Sequence, residues 1–132
     1  MTIHQQTILV TPKGAEPHGI ELTEETFDPA GLVITVRGEL DVATAPALRE
    51  HLDAAIEAGK HRLVIDLSAV SFLDSIALAT IVHAKQLLPE EGKIAMAIDP
   101  SSYVMLVFES TGLPRVLDLF HTRALAVEHV SA

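Results

Sequence analysis

Two groups of polar residues in the sequence have types and spacings that can do chemistry. Asp74 and Ser75 stand together directly before an almost wholly apolar run. Such a pair is typical of a helix N-cap, because Asp and Ser accept hydrogen bonds from the unpaired N–H groups of a first turn. The alternative is that this pair is where the protein is switched. The second group, Glu39-x-Asp41, has the spacing for acid–base chemistry or for a divalent cation, but no other acidic cluster lies near it in sequence.

The other residues with catalytic potential form no recognised motif. The chain has no glycine-rich phosphate loop, no nucleophile elbow and no zinc-protease motif. Its 7 His are scattered, and His83, inside an apolar run, is expected to be a hydrogen-bonded core or boundary residue. Because there is no Cys, a disulfide scaffold, a thiolate zinc site and a Cys nucleophile are excluded. The sequence predicts a protein that is not an enzyme and that uses no cofactor and no metal.

Composition and charge narrow the class of partner. The chain has 132 residues, of which 48% are hydrophobic, enough for one buried core. Its 9 Lys and Arg against 18 Asp and Glu give a net charge of −9, which repels nucleic acids and anionic membranes. The most apolar stretch, Ile76 to Leu88, is interrupted by polar residues and too short to span a bilayer, and the N-terminus lacks the pattern of a secretory signal. We expect a cytoplasmic protein that binds no nucleic acid and does not insert into a membrane.

The order of apolar segments and turn residues predicts one α/β domain, a small mixed β-sheet flanked by about four α-helices. Residues 1–19, which contain several Pro and Gly, are predicted to be a flexible tail with a short strand at Thr7–Thr11, and residues 20–132 form the domain. The other predicted strands are Ile20–Phe27, Leu32–Gly38, Arg62–Leu67, Lys93–Ile98 and Val116–Phe120.

Helices are predicted where capping residues precede apolar runs. The first helix is capped by Thr44 and ended by Gly59, and the second runs from Asp74 to Leu88. The third is capped by Ser101 and ends near Ser110 before Gly112. The fourth is capped by Thr122 and runs to about Val130. Residues Ser68–Leu73 are predicted to be a loop that Asp66, at the end of a buried strand, anchors.

Three segments of the chain resemble the STAS domain, and among its members the bacterial anti-sigma factor antagonists. They are Gly38-Glu-Leu-Asp41, then Asp66-Leu-Ser-Ala-Val-Ser-Phe-Leu-Asp-Ser75, then Gly112-Leu113, in the order of the family. The resemblance spans about Gly31 to Val130 and implies a small sheet flanked by helices. It also implies partner switching: the antagonist binds an anti-sigma factor that is a Ser/Thr kinase, displaces the sigma factor, and is released when the kinase phosphorylates it at the start of the second helix.

The switch segment departs from the family pattern, which is Asp-Ser-Ser/Thr-Gly-Leu-Gly with the phosphate on the second hydroxyl residue. Asp74 and Ser75 match the first two positions, but Ile76 occupies the acceptor position. Isoleucine has no nucleophilic oxygen, so the usual phosphotransfer cannot occur there. Ala77 and Ala79 replace the two glycines, which raises helix propensity by about 1 kcal/mol at each position.

Three hypotheses follow from this departure. In the first, the protein is an antagonist that does not respond to phosphorylation. In the second, Ser75 has become the acceptor, with Thr80 as a weaker candidate. In the third, the fold serves as a STAS subunit or ligand-binding module of a transporter or signalling complex, where stable association replaces switching.

The third predicted helix supplies a second candidate contact region. Val104 and Phe108 lie on one face with Val107 and suffice for core packing. The remaining apolar residues of this helix are then either covered by neighbouring elements or form an exposed patch suited to a protein partner or a homodimer. The predicted partner, an anti-sigma factor of the kinase type, would contact Asp41, Asp74, Ser75, Ile76, Ala77, Tyr103, Met105 and Leu106.

Overall fold

The protein forms an α/β domain, as the sequence predicts. The structure is a computed structural model that describes residues 4–10, 19–112 and 116–132, with only the backbone described for residues 4–10. In chain order the elements are β1 (His4–Val10), β2 (Ile20–Asp28), β3 (Gly31–Leu40), α1 (Ala45–Glu57), β4 (Arg62–Leu73), α2 (Ser75–Leu87), β5 (Lys93–Ala97), α3 (Tyr103–Thr111), β6 (Asp118–Phe120) and α4 (Arg123–Ser131).

The strands form one mixed sheet in the order β1-β2-β3-β4-β5-β6. The first three are antiparallel neighbours, and β3 to β6 are parallel. Parallel neighbours need a crossover connection, and α1, α2 and α3 provide these in turn. The strand predicted inside the N-terminal segment begins earlier, at His4, and Thr11 lies outside the described residues. The flexibility of the predicted tail stays a prediction.

The sheet carries apolar side chains on both faces. The larger core joins one face, with residues such as Ile34 and Ile65, to α1, α2 and α3. The smaller core joins Val33 and Val64 on the opposite face to α4. Three helices therefore cover one face and α4 covers the other, since successive residues of a strand point to opposite sides.

Arg123 attaches the start of α4 to the sheet. Its Nε donates to Asp66 Oδ2 at 3.1 Å and its Nη1 donates to Glu25 Oε2 at 2.8 Å, while its Nη2 donates to Thr35 Oγ1. The second oxygen of Asp66 accepts from the backbone N–H of Ser68 at 3.0 Å. Asp66 therefore anchors the residues that follow it, as predicted, although those residues belong to a strand.

The prediction of a loop at Ser68–Leu73 is wrong, because β4 continues to Leu73. Its pairing with β3 goes on through Arg37↔Ala69 and Leu40↔Leu73, with two register shifts on the way. Such irregularities break the alternation of apolar and polar residues by which a strand is recognised in sequence. As a result, β3 and β4 end side by side.

The last two helices begin at side-chain caps. Ser102, not the predicted Ser101, caps α3 by accepting from Met105 N at 3.1 Å, and the Ser101 hydroxyl donates to a preceding carboxylate instead. Thr122 caps α4 as predicted, accepting from Leu125 N at 3.2 Å. Two neighbouring serines offer the same capping chemistry, so only the backbone path decides which one is used.

Candidate functional site

The site lies where β3 and β4 end and α2 begins, and Gly38 shapes the approach to it. This glycine has a φ of +113°, and a Cβ added to it would lie 2.5 Å from the carbonyl oxygen of Gly19. Any other residue would be strained by its backbone conformation and would clash with Gly19, the residue before β2. With Gly38 in this conformation, β3 continues beyond the register shift in its pairing with β4, and Leu40 pairs with Leu73.

A turn stabilised by Asp41 follows β3. The Oδ1 atom of Asp41 accepts from the N–H groups of Ala43 at 2.9 Å and Thr44 at 3.1 Å. Thr44 stands at the N-cap of α1, but its hydroxyl makes no capping bond: it accepts from Asp41 N at 2.9 Å and donates to Glu39 O at 2.7 Å. Thr44 therefore occupies the predicted N-cap position, but its side chain does not cap the helix. The turn leaves Val42 67% exposed at its tip.

Asp74 joins this turn to the start of α2. Its backbone N–H donates to Leu40 O at 3.1 Å, and its Oδ1 accepts from Ile76 N at 3.0 Å and Ala77 N at 3.1 Å. The predicted helix cap is confirmed. Ser75 is the first residue of α2 and is exposed, and within residues 19–112 and 116–132 its hydroxyl has no hydrogen-bond partner. The cap and the exposed hydroxyl are thus separate residues.

Large apolar side chains are exposed around this helix start. They are Val42 at 67%, Phe72 at 39%, Ile76 at 47%, Tyr103 at 52% and Leu106 at 65% of full exposure, and we call these five the apolar end surface. Phe72 pairs with Glu39 at the end of β4 and its ring stacks on that of Tyr103, with centroids 6.0 Å apart. Leu106 lies one turn further along α3. Exposed aromatic rings offer large apolar side chains to a partner.

Most of the predicted contact residues lie at this end of the sheet. Asp41, Asp74, Ser75 and Ile76 are held close by the bond between Asp74 N and Leu40 O, and Tyr103 joins them through Phe72. Of the two alternatives left open for α3, the exposure of Tyr103 and Leu106 favours the exposed patch.

Two of the predicted contact residues are buried instead. Ala77 has no exposed surface and Met105 is 9% exposed, both within the larger core. Ala77 turns inward one residue after Ile76, and Met105 packs beside Val104 while Val107 is only half-buried. Because both side chains are buried, Ala77 and Met105 are not available for the predicted contact with a partner.

Two residues of the surface, Val42 and Phe72, were not predicted from the sequence. Phe72 fell in the segment wrongly predicted to be a loop, where no orientation can be assigned to it. The available signal was the position of each residue: Val42 follows Asp41 inside a turn, and Phe72 stands two residues before a helix cap. A large apolar residue in a turn or directly before a helix cap is poorly placed to be buried in the core.

The carboxylates at the site bind the backbone of the neighbouring turns. The carboxylates of Asp41 and Asp74 accept backbone N–H groups, and neither forms an ion pair within the ranges that the structure covers. In those ranges no cluster of three or more His, Asp or Glu is placed to hold a metal ion. His83 is a boundary residue, with Nε2 3.3 Å from Arg49 Nη2.

The longest helices of the described ranges, α1 and α2, each have 13 residues. No helix among these residues is long and apolar enough to cross a membrane.

Three comparisons relate the chain to known proteins. The STAS domain profile matches residues 21–126. The chain is 34% identical over 88 residues to the anti-sigma-B factor antagonist of Staphylococcus epidermidis, covering 67% of this chain and 79% of that protein. It is 33% identical over 86 residues to that of Bacillus subtilis, covering 65% and 78%. The crystal structure of an anti-sigma factor antagonist from Mycobacterium paratuberculosis is similar with a TM-score of 0.81 and 30% identity, covering 89% and 99% of the two chains.

Proposed function

Because the chain belongs to the STAS domain family, we propose that it is a regulatory protein without enzymatic activity that binds an anti-sigma factor and so releases a sigma factor. The observation that carries this proposal is the apolar end surface, five large apolar side chains exposed around the start of α2. Exposed apolar groups gathered in one place are typical of protein-binding sites, because covering them removes their contact with water.

The surface is well organised for binding. The backbone around it is fixed by the hydrogen bonds of Asp41 and Asp74, so few groups must be ordered when a partner binds. The stacked rings of Phe72 and Tyr103 are the type of anchor that often supplies most of the binding energy. The two carboxylates and the net charge of −9 favour a partner whose contact region is apolar and bordered by Lys or Arg.

How this site is regulated depends on Ile76, which occupies the position of the family's phosphate acceptor. We propose that the usual phosphate acceptor is absent and that the antagonist stays in its binding form, unless Ser75 accepts the phosphate instead. Ser75 is exposed at the first position of α2, where the helix dipole favours an anion. Thr80 is a poor alternative, since it is 8% exposed and its hydroxyl donates to Ile76 O.

Displacement of a sigma factor tests the proposed function. The anti-sigma factors of the source organism are purified as complexes with their sigma factors, and the antagonist is added in increasing amounts. We expect sigma factor to be released from one of these complexes, detected by size-exclusion chromatography. Lack of binding to all of them would contradict the proposal, and self-association without such binding would point to a homodimer.

The proposed regulation is tested by adding ATP to the binding anti-sigma factor and mapping phosphate by mass spectrometry. No phosphate with retained binding supports an antagonist that does not respond to phosphorylation. Phosphate that weakens binding and is lost in Ser75→Ala supports Ser75 as acceptor. Phosphate on a residue remote from α2 that releases the complex would contradict both forms.

A further inference from the structure

An open groove of about 350 Å³ runs along the outer side of α2 beside the end of α3. Leu78, Ala79 and Val82 form its apolar floor. Ser75 lines it near the start of α2, and Thr111 lines it from α3. Ala79 is exposed and Val82 is half-buried, so the floor is accessible from outside.

The groove continues from the apolar end surface. Ser75, which lines the groove, is next in sequence to Ile76, which belongs to that surface. A partner that covers Ile76 therefore lies directly at the mouth of the groove. A volume of this size accommodates a few side chains but not a whole structural element.

The far part of the groove has a cation at its edge. Arg49 Nη2 lies 3.3 Å from Nε2 of His83, a groove residue, and Arg49 is 56% exposed. Its Nε is 3.7 Å from Asp53 Oδ2, at the outer limit of an ion pair, so the guanidinium can still bind another carboxylate. At the mouth, Asp74 precedes Ser75 in sequence but does not line the groove. Arg49 therefore gives the far part of the groove a positive edge.

We propose that this groove receives one or two aliphatic side chains of the anti-sigma factor, and that a carboxylate next to them on that protein binds Arg49. The inference rests on the proposed function and adds a contact to it. Apolar side chains match the floor, and an acidic group matches the exposed guanidinium. A phosphate on Ser75 would bring a charge of about −2 to the mouth of the groove and repel such a partner.

Filling the groove tests its role. Ala79→Leu places a larger side chain on the floor, and Ala124→Leu makes the same change at an exposed position of α4, on the opposite face of the sheet. The probe is the full-length anti-sigma factor identified by displacement, titrated calorimetrically. We expect Ala79→Leu to weaken binding about tenfold and Ala124→Leu to stay within about twofold. Unchanged binding by Ala79→Leu would overturn the inference.

Reversing the charge at the edge tests the acidic contact. Arg49→Glu is compared with Arg37→Glu, because each arginine is largely exposed and has one carboxylate near its Nε, at 3.7 Å and 3.8 Å. We expect Arg49→Glu to weaken binding about fivefold, with a smaller difference at high salt, and Arg37→Glu to have little effect. Equal effects of the two variants would overturn the proposed charge contact.

The outcome also separates this inference from the proposed function. If Ile76→Asp weakens binding while Ala79→Leu does not, the groove proposal is wrong and the proposed function stands. If no anti-sigma factor binds the unaltered chain, both are wrong, since the occupant of the groove is then excluded. Methyl NMR gives a check on folded protein: signals of Leu78 and Val82 are expected to shift on binding, and those of Val130 in the smaller core are not.

Discussion

At both ends of the sheet an Asp carboxylate accepts a hydrogen bond from a backbone N–H group, but the surroundings of the two carboxylates differ. At the end where β2 turns into β3, Asp28 Oδ1 accepts from Ala30 N at 2.9 Å, as Asp74 Oδ1 accepts from backbone N–H groups at the other end. Asp28, however, also accepts from Arg62 Nη2 at 2.6 Å, and Lys60 Nζ nearby donates to Pro29 O at 2.8 Å. The hairpin end pairs its charges internally.

At the α2 end the carboxylates of Asp41 and Asp74 accept from backbone N–H groups, and that of Asp41 also accepts from the Thr44 hydroxyl at 3.3 Å. Neither carboxylate has a cationic partner among the described residues, and large apolar side chains beside them are exposed. Because Asp28 and Arg62 at the hairpin end already pair with each other, a partner would gain little binding free energy from them. Exposed rings and aliphatic groups at the α2 end leave much to be gained by burial. The difference supports our proposal that the α2 end is the recognition site, whereas the ion pair at the hairpin end contributes to stability.

The largest expected effect on stability concerns the backbone that leads to the α2 end. Gly38→Ala is expected to lower the free energy of unfolding by about 3 kcal/mol, because it combines positive φ with a clash against Gly19 O. Gly59→Ala is the matched control: its φ is +92° but a Cβ there meets nothing within 4 Å, so about 1 kcal/mol is expected. Urea unfolding measures both. Equal losses would show that the close approach is unimportant.

A smaller effect on stability is expected at the start of α2, where Asp74 caps the helix and Ser75 does not. Asp74→Ala removes the acceptor of two N–H groups and is expected to cost about 1 kcal/mol of unfolding free energy. Ser75→Ala should change it by less than about 0.5 kcal/mol, since the hydroxyl does not cap the helix. Thermal and urea unfolding of both variants give the comparison. A larger loss for Ser75→Ala would contradict the assignment of the cap.

The smallest effect concerns the charge pair of the hairpin end. Partial burial raises the pKa of Asp28, but hydrogen bonds from Arg62 and from Ala30 N outweigh it and hold this pKa below its ordinary value of 3.8. The pair therefore stabilises the fold above pH 3.8, and this contribution is lost as the pH falls through the lower folded value. Asp28→Asn is expected to cost about 0.5 kcal/mol at pH 7. The difference from the unaltered chain should shrink below pH 3.8, and a difference that grows with acid would contradict the pairing.

The sequence predicted the fold class and most elements because their signals are local. Asp74 and Thr122 precede helices, and β-branched runs mark the central strands. The course of β4 beyond Leu67 was missed, since it depends on bulged pairing with β3, which no local pattern records.

The site was predicted in part for the same reason. Ile76, Tyr103 and Leu106 were identified from helix position and resemblance, and all are exposed. Phe72 was missed because its direction depends on the end of β4. Met105 was misplaced because α3 buries it together with Val104 and Phe108, whereas Val107 is only half-buried. Which face of a short helix is buried is decided by tertiary packing, not by spacing alone.

Matched variants of two half-exposed residues test the central claim most directly. Ile76 and Leu125 are both 47% exposed and lie in the first turn of their helices, one at the α2 end and one on α4. Changing either to Asp preserves an acceptable helix start, because a negative charge is favourable there. Calorimetric titration with the anti-sigma factor should show binding weakened about thirtyfold or more by Ile76→Asp and by less than about twofold by Leu125→Asp. Equal affinities of the two variants would contradict the assignment of the apolar end surface as the binding site.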